Sequence, residues 1–129
     1  MAGSAGLSRC GRYRYWLRRH WNPALPQCTF IGLNPSTADA EIDDPTLRRC
    51  IGFAKRWGYG SLLLVNLFAW RATDPRDLLD SPDPIGPQTD RWLRRATRES
   101  DLRVAAWGNG GTLANRAHHV SKRLQPLHC

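Results

Sequence analysis

Three apolar runs along the chain end in polar or glycine-containing turns, and each predicts a buried strand. They cover residues 28–33, 61–70 and 102–107. The second run is apolar on both faces, as expected of a strand in a parallel sheet that is covered by helices. Residues 12–19 begin with arginine alternating with tyrosine, which predicts an edge strand with one buried face.

Helical patterns separate these strands. Residues 45–57 have apolar positions near helical spacing, and Asp43 or Asp44 precedes a proline that suits the first helical position. Residues 87–100 predict a basic helix, and residues 112–124 predict another after the third strand. The alternation of strands and helices therefore predicts an α/β fold, a three-layer sandwich with a short, mostly parallel sheet.

The domain organisation follows from length and composition. Residues 1–11 are small and polar and predict a disordered lead, while residues 12–129 predict a single α/β domain. No apolar run is long enough to cross a bilayer, and the start of the chain lacks a signal-peptide stretch, so we expect a cytoplasmic protein. The cysteines lack the paired spacing of a zinc site or redox dithiol, and we expect reduced thiols, two of them in the core. They are Cys10, Cys28, Cys50 and Cys129.

The turn after the first predicted strand holds a candidate functional side chain, Asn34. Gly32 permits close backbone approach or an unusual backbone dihedral, and Pro35 favours an extended backbone at Asn34. The amide of Asn34 carries both a donor and an acceptor, so it can orient a water or bind the edge of a heterocycle. The alternative is an Asx-Pro turn, capped by Ser36 or Thr37, with no chemistry.

A second asparagine, Asn66, interrupts the second apolar run. A buried amide without a partner costs about 1–3 kcal/mol, so Asn66 either holds neighbouring backbone or faces a ligand. Because ligands gather at the carboxyl ends of strands in open α/β sheets, Asn34, residues 66–71 and residues 108–111 are expected to share one cleft. The glycine-rich turn at 108–111 lacks the spacing of a Walker loop or dinucleotide fingerprint, and no cofactor is expected.

The charge balance points to a polyanionic partner. The chain has 19 lysine and arginine residues against 11 acidic ones, giving a net charge of +8. Arginine binds phosphate in a bidentate manner, so DNA is the expected partner, and no membrane partner is expected. The alternatives are a solvated basic face and a compositional bias towards arginine. The candidate nucleic-acid contacts are Arg48, Arg49, Arg94 and Arg95.

Four acidic residues lie close together between the first strand and the first helix. Carboxylates can bind a divalent cation, but this spacing matches no specific ligand pattern, and no metal is assigned. A metal-dependent hydrolase stays open as an alternative function. The four residues are Asp39, Glu41, Asp43 and Asp44.

Several motifs, which span most of the chain, resemble those of a bacterial domain-of-unknown-function family, number 1643. That resemblance implies no activity. There are four such motifs: Gly32-Leu33-Asn34-Pro35-Ser36-Thr37-Ala38-Asp39, Asp43-Asp44-Pro45-Thr46 with Arg48-Arg49-Cys50, Val65-Asn66-Leu67-Phe68-Ala69-Trp70-Arg71-Ala72-Thr73-Asp74-Pro75, and Ala106-Trp107-Gly108.

The chain also has a more remote resemblance to uracil-DNA glycosylases. Their first strand ends in a Gly-x-x-Pro turn, similar to residues 32–35, whose Asp or Asn positions the attacking water. The resemblance therefore implies that Asn34 is catalytic. Their second strand carries an Asn that binds the uracil edge, which would be Asn66, and their third strand ends in Trp-Gly. The implied substrate-binding residues are Gly32, Pro35, Ser36, Asn66, Arg71, Trp107 and Gly108.

The chain departs from the glycosylase pattern at three places. Ser36 and Thr37 replace the residues expected after the turn, no stacking aromatic follows them, and the chain stops at Cys129 before a His-Pro-Ser motif. We therefore expect a glycosylase-like fold that is truncated or lacks its last strand. The expected function is glycosylase-like hydrolysis of an N-glycosidic bond; the alternatives are a non-catalytic nucleic-acid or nucleotide-binding module, the metal-dependent hydrolase, and a domain without a ligand.

Overall fold

The computed structural model of the protein describes residues 1–100, 102–107 and 116. In this part of the chain, strands and helices alternate from the third strand onwards, as the sequence predicts. The elements are β1 (Ala2–Leu7), β2 (Arg14–His20), β3 (Gln27–Gly32), α1 (Pro45–Arg56), β4 (Ser61–Asn66), a 3₁₀ helix (Pro75–Asp80), α2 (Thr89–Glu99) and β5 (Leu102–Ala105). The helix predicted over residues 112–124 falls almost entirely outside the described residues.

The described strands form one mixed sheet in the order β1-β2-β4-β3-β5. β3 pairs in parallel with both β4 and β5, whereas β2 runs antiparallel to both β1 and β4. The prediction of a mostly parallel sheet is therefore wrong. Residues 8–13, between β1 and β2, are too few for the crossover of a dozen or more residues that a parallel pair requires.

The start of the chain belongs to the sheet. Ala2–Leu7 form β1 where the composition predicts a disordered lead. Backbone hydrogen bonds to β2 hold this strand, and its small residues give no alternating pattern that would reveal it. Small size is required at Gly6, which lies against the Trp16 indole and leaves no room for a side chain.

The two α-helices lie on opposite faces of the sheet. Along β4, Leu62 and Leu64 join the core cluster that contains α1, while Leu63 and Val65 join the cluster that contains α2. Alternate side chains of a strand point to opposite faces, so β4 is covered on both sides. The described residues thus form three layers, helix, sheet and helix.

The start of α1 is fixed by Asp44, one of the two capping residues that the sequence predicts. One of its carboxylate oxygens accepts a hydrogen bond from the backbone N–H of Leu47 at 2.8 Å, and the other accepts one from the N–H of Ala38 at 3.2 Å. Pro45 occupies the first turn, where its missing N–H leaves no partner unsatisfied. Asp44 therefore joins the loop after β3 to the beginning of α1.

The buried thiols are part of the core on the α1 face. Cys28 and Cys50 are free and buried, as predicted, and burial raises their pKa values to about 12 and about 11. Cys10 is free and exposed, and Cys129 lies outside the described residues. Among the helices that the structure describes, none combines the length and apolar character needed to cross a membrane.

Replacing Asp44 with Ala should destabilise the fold by about 2–4 kcal/mol, because the substitution removes a helix cap and leaves the buried Ala38 N–H unpaired. Urea denaturation measures the change in the free energy of unfolding. Asp74 is the matched control, since it caps the 3₁₀ helix before a proline at an exposed site. Asp74→Ala should cause a clearly smaller loss, and equal losses would contradict the role of Asp44.

Candidate functional site

The carboxyl ends of β3 and β4 lie side by side. Their parallel register pairs Gly32 with Asn66, so the two strands end at the same level. Asn66 lies on the α1 face of the sheet, and a Cβ placed on Gly32 would be 2.7 Å from its Oδ1 atom. Only glycine at position 32 therefore leaves room for the Asn66 side chain, and of the two roles that the sequence offers for Gly32 the structure supports close approach.

Asn34, directly after β3, is held by two hydrogen bonds. Its Nδ2 atom donates to the carbonyl oxygens of Ala72 at 2.8 Å and Pro35 at 3.1 Å. Carbonyl oxygens only accept, so these contacts fix which end of the amide is nitrogen. In the described part of the chain no donor bonds its Oδ1 atom, which is the end that remains for a ligand or water.

Both asparagines line one cavity of about 260 Å³. Ala106, which follows β5, also lines it, so all three parallel strands contribute. The volume is just below the range of about 300–1,000 Å³ typical of drug-sized ligands, which favours a single small ring. Asn34 and Asn66 therefore share a cleft, as expected from the sequence, whereas residues 108–111 lie outside the described residues.

Sequence reasoning missed Arg14, which also lines this cavity. Only 1% of Arg14 is exposed, and its Nη1 atom donates to the carbonyl of Ala38 at 2.8 Å. Burial lowers the pKa of Arg14 to about 10, while the charge of Asp44 acts to raise it. The pairing of β1 with β2 contains a register shift, so that Tyr15 has no partner on β1. Arg14 consequently lies on the same face of the sheet as Leu17, the buried face that α1 covers.

Two residues that line the cavity each have a buried side-chain donor without a hydrogen-bond partner within the described residues. These donors are the Nδ2 atom of Asn66 and the Nε atom of Arg14. An unpaired buried donor costs about 1–3 kcal/mol, so an acceptor supplied by a ligand would offset that cost. The cavity is therefore chemically suited to a ligand that offers oxygen or nitrogen acceptors.

The acidic loop has structural partners. Asp44 caps α1, Asp39 accepts the backbone N–H groups of Glu41 and Ile42, and Asp43 pairs with Arg19 at 3.0 Å. Within the described residues no group of three or more His, Cys, Asp or Glu side chains is placed to hold a metal ion. The loop's geometry thus lends no support to the metal-dependent alternative.

The other predicted substrate contacts have different positions. Pro35 is buried, and its carbonyl accepts the N–H of Ala72 at 2.9 Å. Ser36 lines the cavity, and Arg71 lines an open depression next to it. Trp107 packs against the core on the α2 side, so it does not join the two amides. Gly108 lies outside the described residues.

The four predicted nucleic-acid contacts are exposed on two different layers. Arg48 and Arg49 lie on α1, and Arg94 and Arg95 lie on α2. Arg95 also pairs with Glu99 at 3.3 Å and stacks 5.0 Å from the ring of Trp92. These arginines therefore do not form one continuous strip beside the cavity, and their binding to DNA stays a prediction.

Replacing Asn66 with Ala should change the free energy of unfolding by less than about 1 kcal/mol, because removal of an unpaired buried donor offsets the lost packing. Leu62→Ala, on the same strand and face, is the control and should cost about 2–5 kcal/mol. Chemical denaturation of both variants measures the difference. A loss at Asn66 as large as that at Leu62 would show that the amide has a structural partner.

Comparison with known proteins identifies a family for which no activity is described. The sequence model of the family described as "Protein of unknown function (DUF1643)" matches residues 14–129. The match includes every cavity residue named above and leaves out β1. No curated protein and no solved structure matches the chain.

Proposed function

The chain belongs to the DUF1643 family, and from its cavity we propose that it is a glycosylase-like domain that binds a nucleobase and hydrolyses its N-glycosidic bond. The observation that carries the proposal is the convergence of Asn34 and Asn66 on one small cavity. The remote resemblance to uracil-DNA glycosylases assigns water positioning and base binding to these same two residues.

The donors at the cavity fit the carbonyl edge of a pyrimidine. The Nδ2 atom of Asn66 and the Nε atom of Arg14 are both buried donors without described partners. A carbonyl oxygen of an extruded base would accept from either of them, which offsets the energy of unstacking the base. The volume of about 260 Å³ admits one planar ring.

In the proposed reaction, a water held by the Oδ1 atom of Asn34 attacks the anomeric carbon of the sugar. The bond to the base breaks, its electron pair leaves on the base as an anion, and the proton that the attacking water loses finally neutralises that anion. Arg14 remains charged at neutral pH, since its pKa is about 10, and it stabilises that anion together with Asn66. Removal of one such donor costs about 2.7–4 kcal/mol in other enzymes.

A second function, binding of a nucleotide without turnover, is favoured by one observation. Asp44 is the carboxylate that lines the described cavity, and both of its oxygens accept backbone N–H groups. A carboxylate used in this way is a poor general base for water. In this alternative the two amides and Arg14 bind a base and no bond is broken.

DNA is the proposed partner in either case. The net charge of +8 favours association with a polyanion, and four exposed arginines of α1 and α2 supply positive charge outside the cavity, namely Arg48, Arg49, Arg94 and Arg95. Phosphate contacts make affinity fall as salt rises, so DNA binding should weaken steeply with ionic strength.

A base-release assay on uracil-containing and mismatched DNA tests the hydrolase. Asn34→Ala and Asn66→Ala should each lower the rate at least about 100-fold, because each removes a group that acts on the water or the base. Asn22→Ala is the matched control, since Asn22 is exposed in the loop before β3 and does not line the cavity.

Three outcomes are distinct. Base release that depends on Asn34 and Asn66 but not on Asn22 supports hydrolysis. Salt-dependent DNA binding that requires Asn66, with no base release by the unchanged protein, supports the binding module. If neither binding nor release depends on Asn34 or Asn66, both functions are contradicted.

A further inference from the structure

A second, more open depression adjoins the base cavity. It has a volume of about 450 Å³ and shares Ser36, Ala72 and Thr73 with the cavity that holds the two asparagines. Arg12 and Arg71 also line it. We call this depression the arginine trough. A ligand that fills both depressions would pass over the residues they share.

Hydrogen bonds to backbone carbonyls and a contact with an aromatic ring hold the two arginines of the trough in place. The N–H of Arg71 donates to the carbonyl of Arg12 at 2.8 Å, and the Nη1 atom of Arg71 donates to the carbonyl of Gly11 at 3.3 Å. The guanidinium carbon of Arg12 lies 5.5 Å from the centre of the Trp70 ring. These contacts restrain the side chains and leave most of their N–H donors for another partner.

The trough lining carries positive charge, and the nearest carboxylate that acts on it, that of Asp39, makes no ion pair with Arg71 among the described residues. Its lining contains no acidic residue, and neither Arg12 nor Arg71 forms an ion pair within the described part of the chain. Other arginines do have such partners. Those with a carboxylate within 4 Å include Arg18, Arg19, Arg76 and Arg95.

We propose that the arginine trough is a phosphate subsite for the nucleotide whose base enters the adjoining cavity. Guanidinium groups bind phosphate oxygens through paired, charge-assisted hydrogen bonds, and the hydroxyls of Ser36 and Thr37 add donors at the same surface. This inference rests on the proposed function, since it assigns the substrate class of the same site. The substrate is then a phosphorylated nucleotide, either free or within a strand, and not a free base or nucleoside.

The position of the trough sets the arrangement of such a substrate. The base lies beside Asn66, the sugar lies near the shared residues Ser36 and Thr73, and the phosphate lies beside Arg71. Buried Arg14 lies on the base side of this arrangement, where it lines the first cavity but not the trough. The two depressions thus separate recognition of the base from recognition of the phosphate.

Binding measured by titration calorimetry on the full chain tests the subsite. The probes are deoxyuridine, deoxyuridine 5′-monophosphate, a short single strand with a central uracil, and the same strand with an abasic site at that position. The monophosphate should bind at least about tenfold more tightly than the nucleoside, as expected for charge-assisted hydrogen bonds. Arg71→Ala and Arg12→Ala should remove that difference.

Arg98→Ala is the control for net charge, because Arg98 is exposed on α2, outside the trough, and its loss lowers the charge equally. It should leave the tenfold difference intact. Binding of deoxyuridine as tight as that of the monophosphate, or equal effects of Arg71→Ala and Arg98→Ala, would overturn the subsite.

The abasic strand separates failure of the subsite from failure of the base cavity. If the subsite is correct, Arg71→Ala weakens binding of this strand at least about tenfold, and Asn66→Ala leaves it unchanged. Such a result supports the trough even when the base makes no contribution. If the monophosphate and both strands bind the same whether or not Arg71 is present, the trough is not a phosphate subsite.

Discussion

The parallel pairing of Gly32 with Asn66 is the constraint on which the site depends. It brings the ends of β3 and β4 to one level and gives Asn66 the space that a side chain at position 32 would fill. A shift of one residue in this register would turn Asn66 towards α2 and away from Asn34. The cavity thus depends both on strand register and on the loops that follow the strands, which supply Asn34 and Ser36.

Around the cavity, the carboxylates have structural partners, whereas some of the hydrogen-bond donors remain available for a ligand. The carboxylates of Asp39, Asp43 and Asp44 bind backbone N–H groups or Arg19 and so hold the loop before α1. The Nδ2 atom of Asn66 and the Nε atom of Arg14 have no described partner. A site that is rich in free donors and poor in free carboxylates suits acceptor-bearing and anionic groups, which is why a base carbonyl, a departing base anion and a phosphate all fit the same region.

Features set by neighbouring residues could be predicted from the sequence. The first helix, its Asp44 cap and the strand before Asn34 depend on apolar spacing and turn chemistry, and the structure confirms them. The carboxyl-end rule for α/β sheets also predicted that Asn34 and Asn66 would meet. Features set by distant pairing could not be predicted in this way. β1 carries no apolar pattern, the antiparallel strands follow from pairing of β2 with β4, and Arg14 is buried because of a register shift.

The most direct test of the central claim is a titration of isotope-labelled protein with free uracil, followed by nuclear magnetic resonance of the side-chain amides. If one cavity binds the base, the amide signals of Asn34 and Asn66 will shift together along one saturation curve, and that of exposed Asn22 will stay in place. Signals of Asn34 and Asn66 that do not move at saturating uracil, or that follow different curves, would contradict a shared nucleobase site.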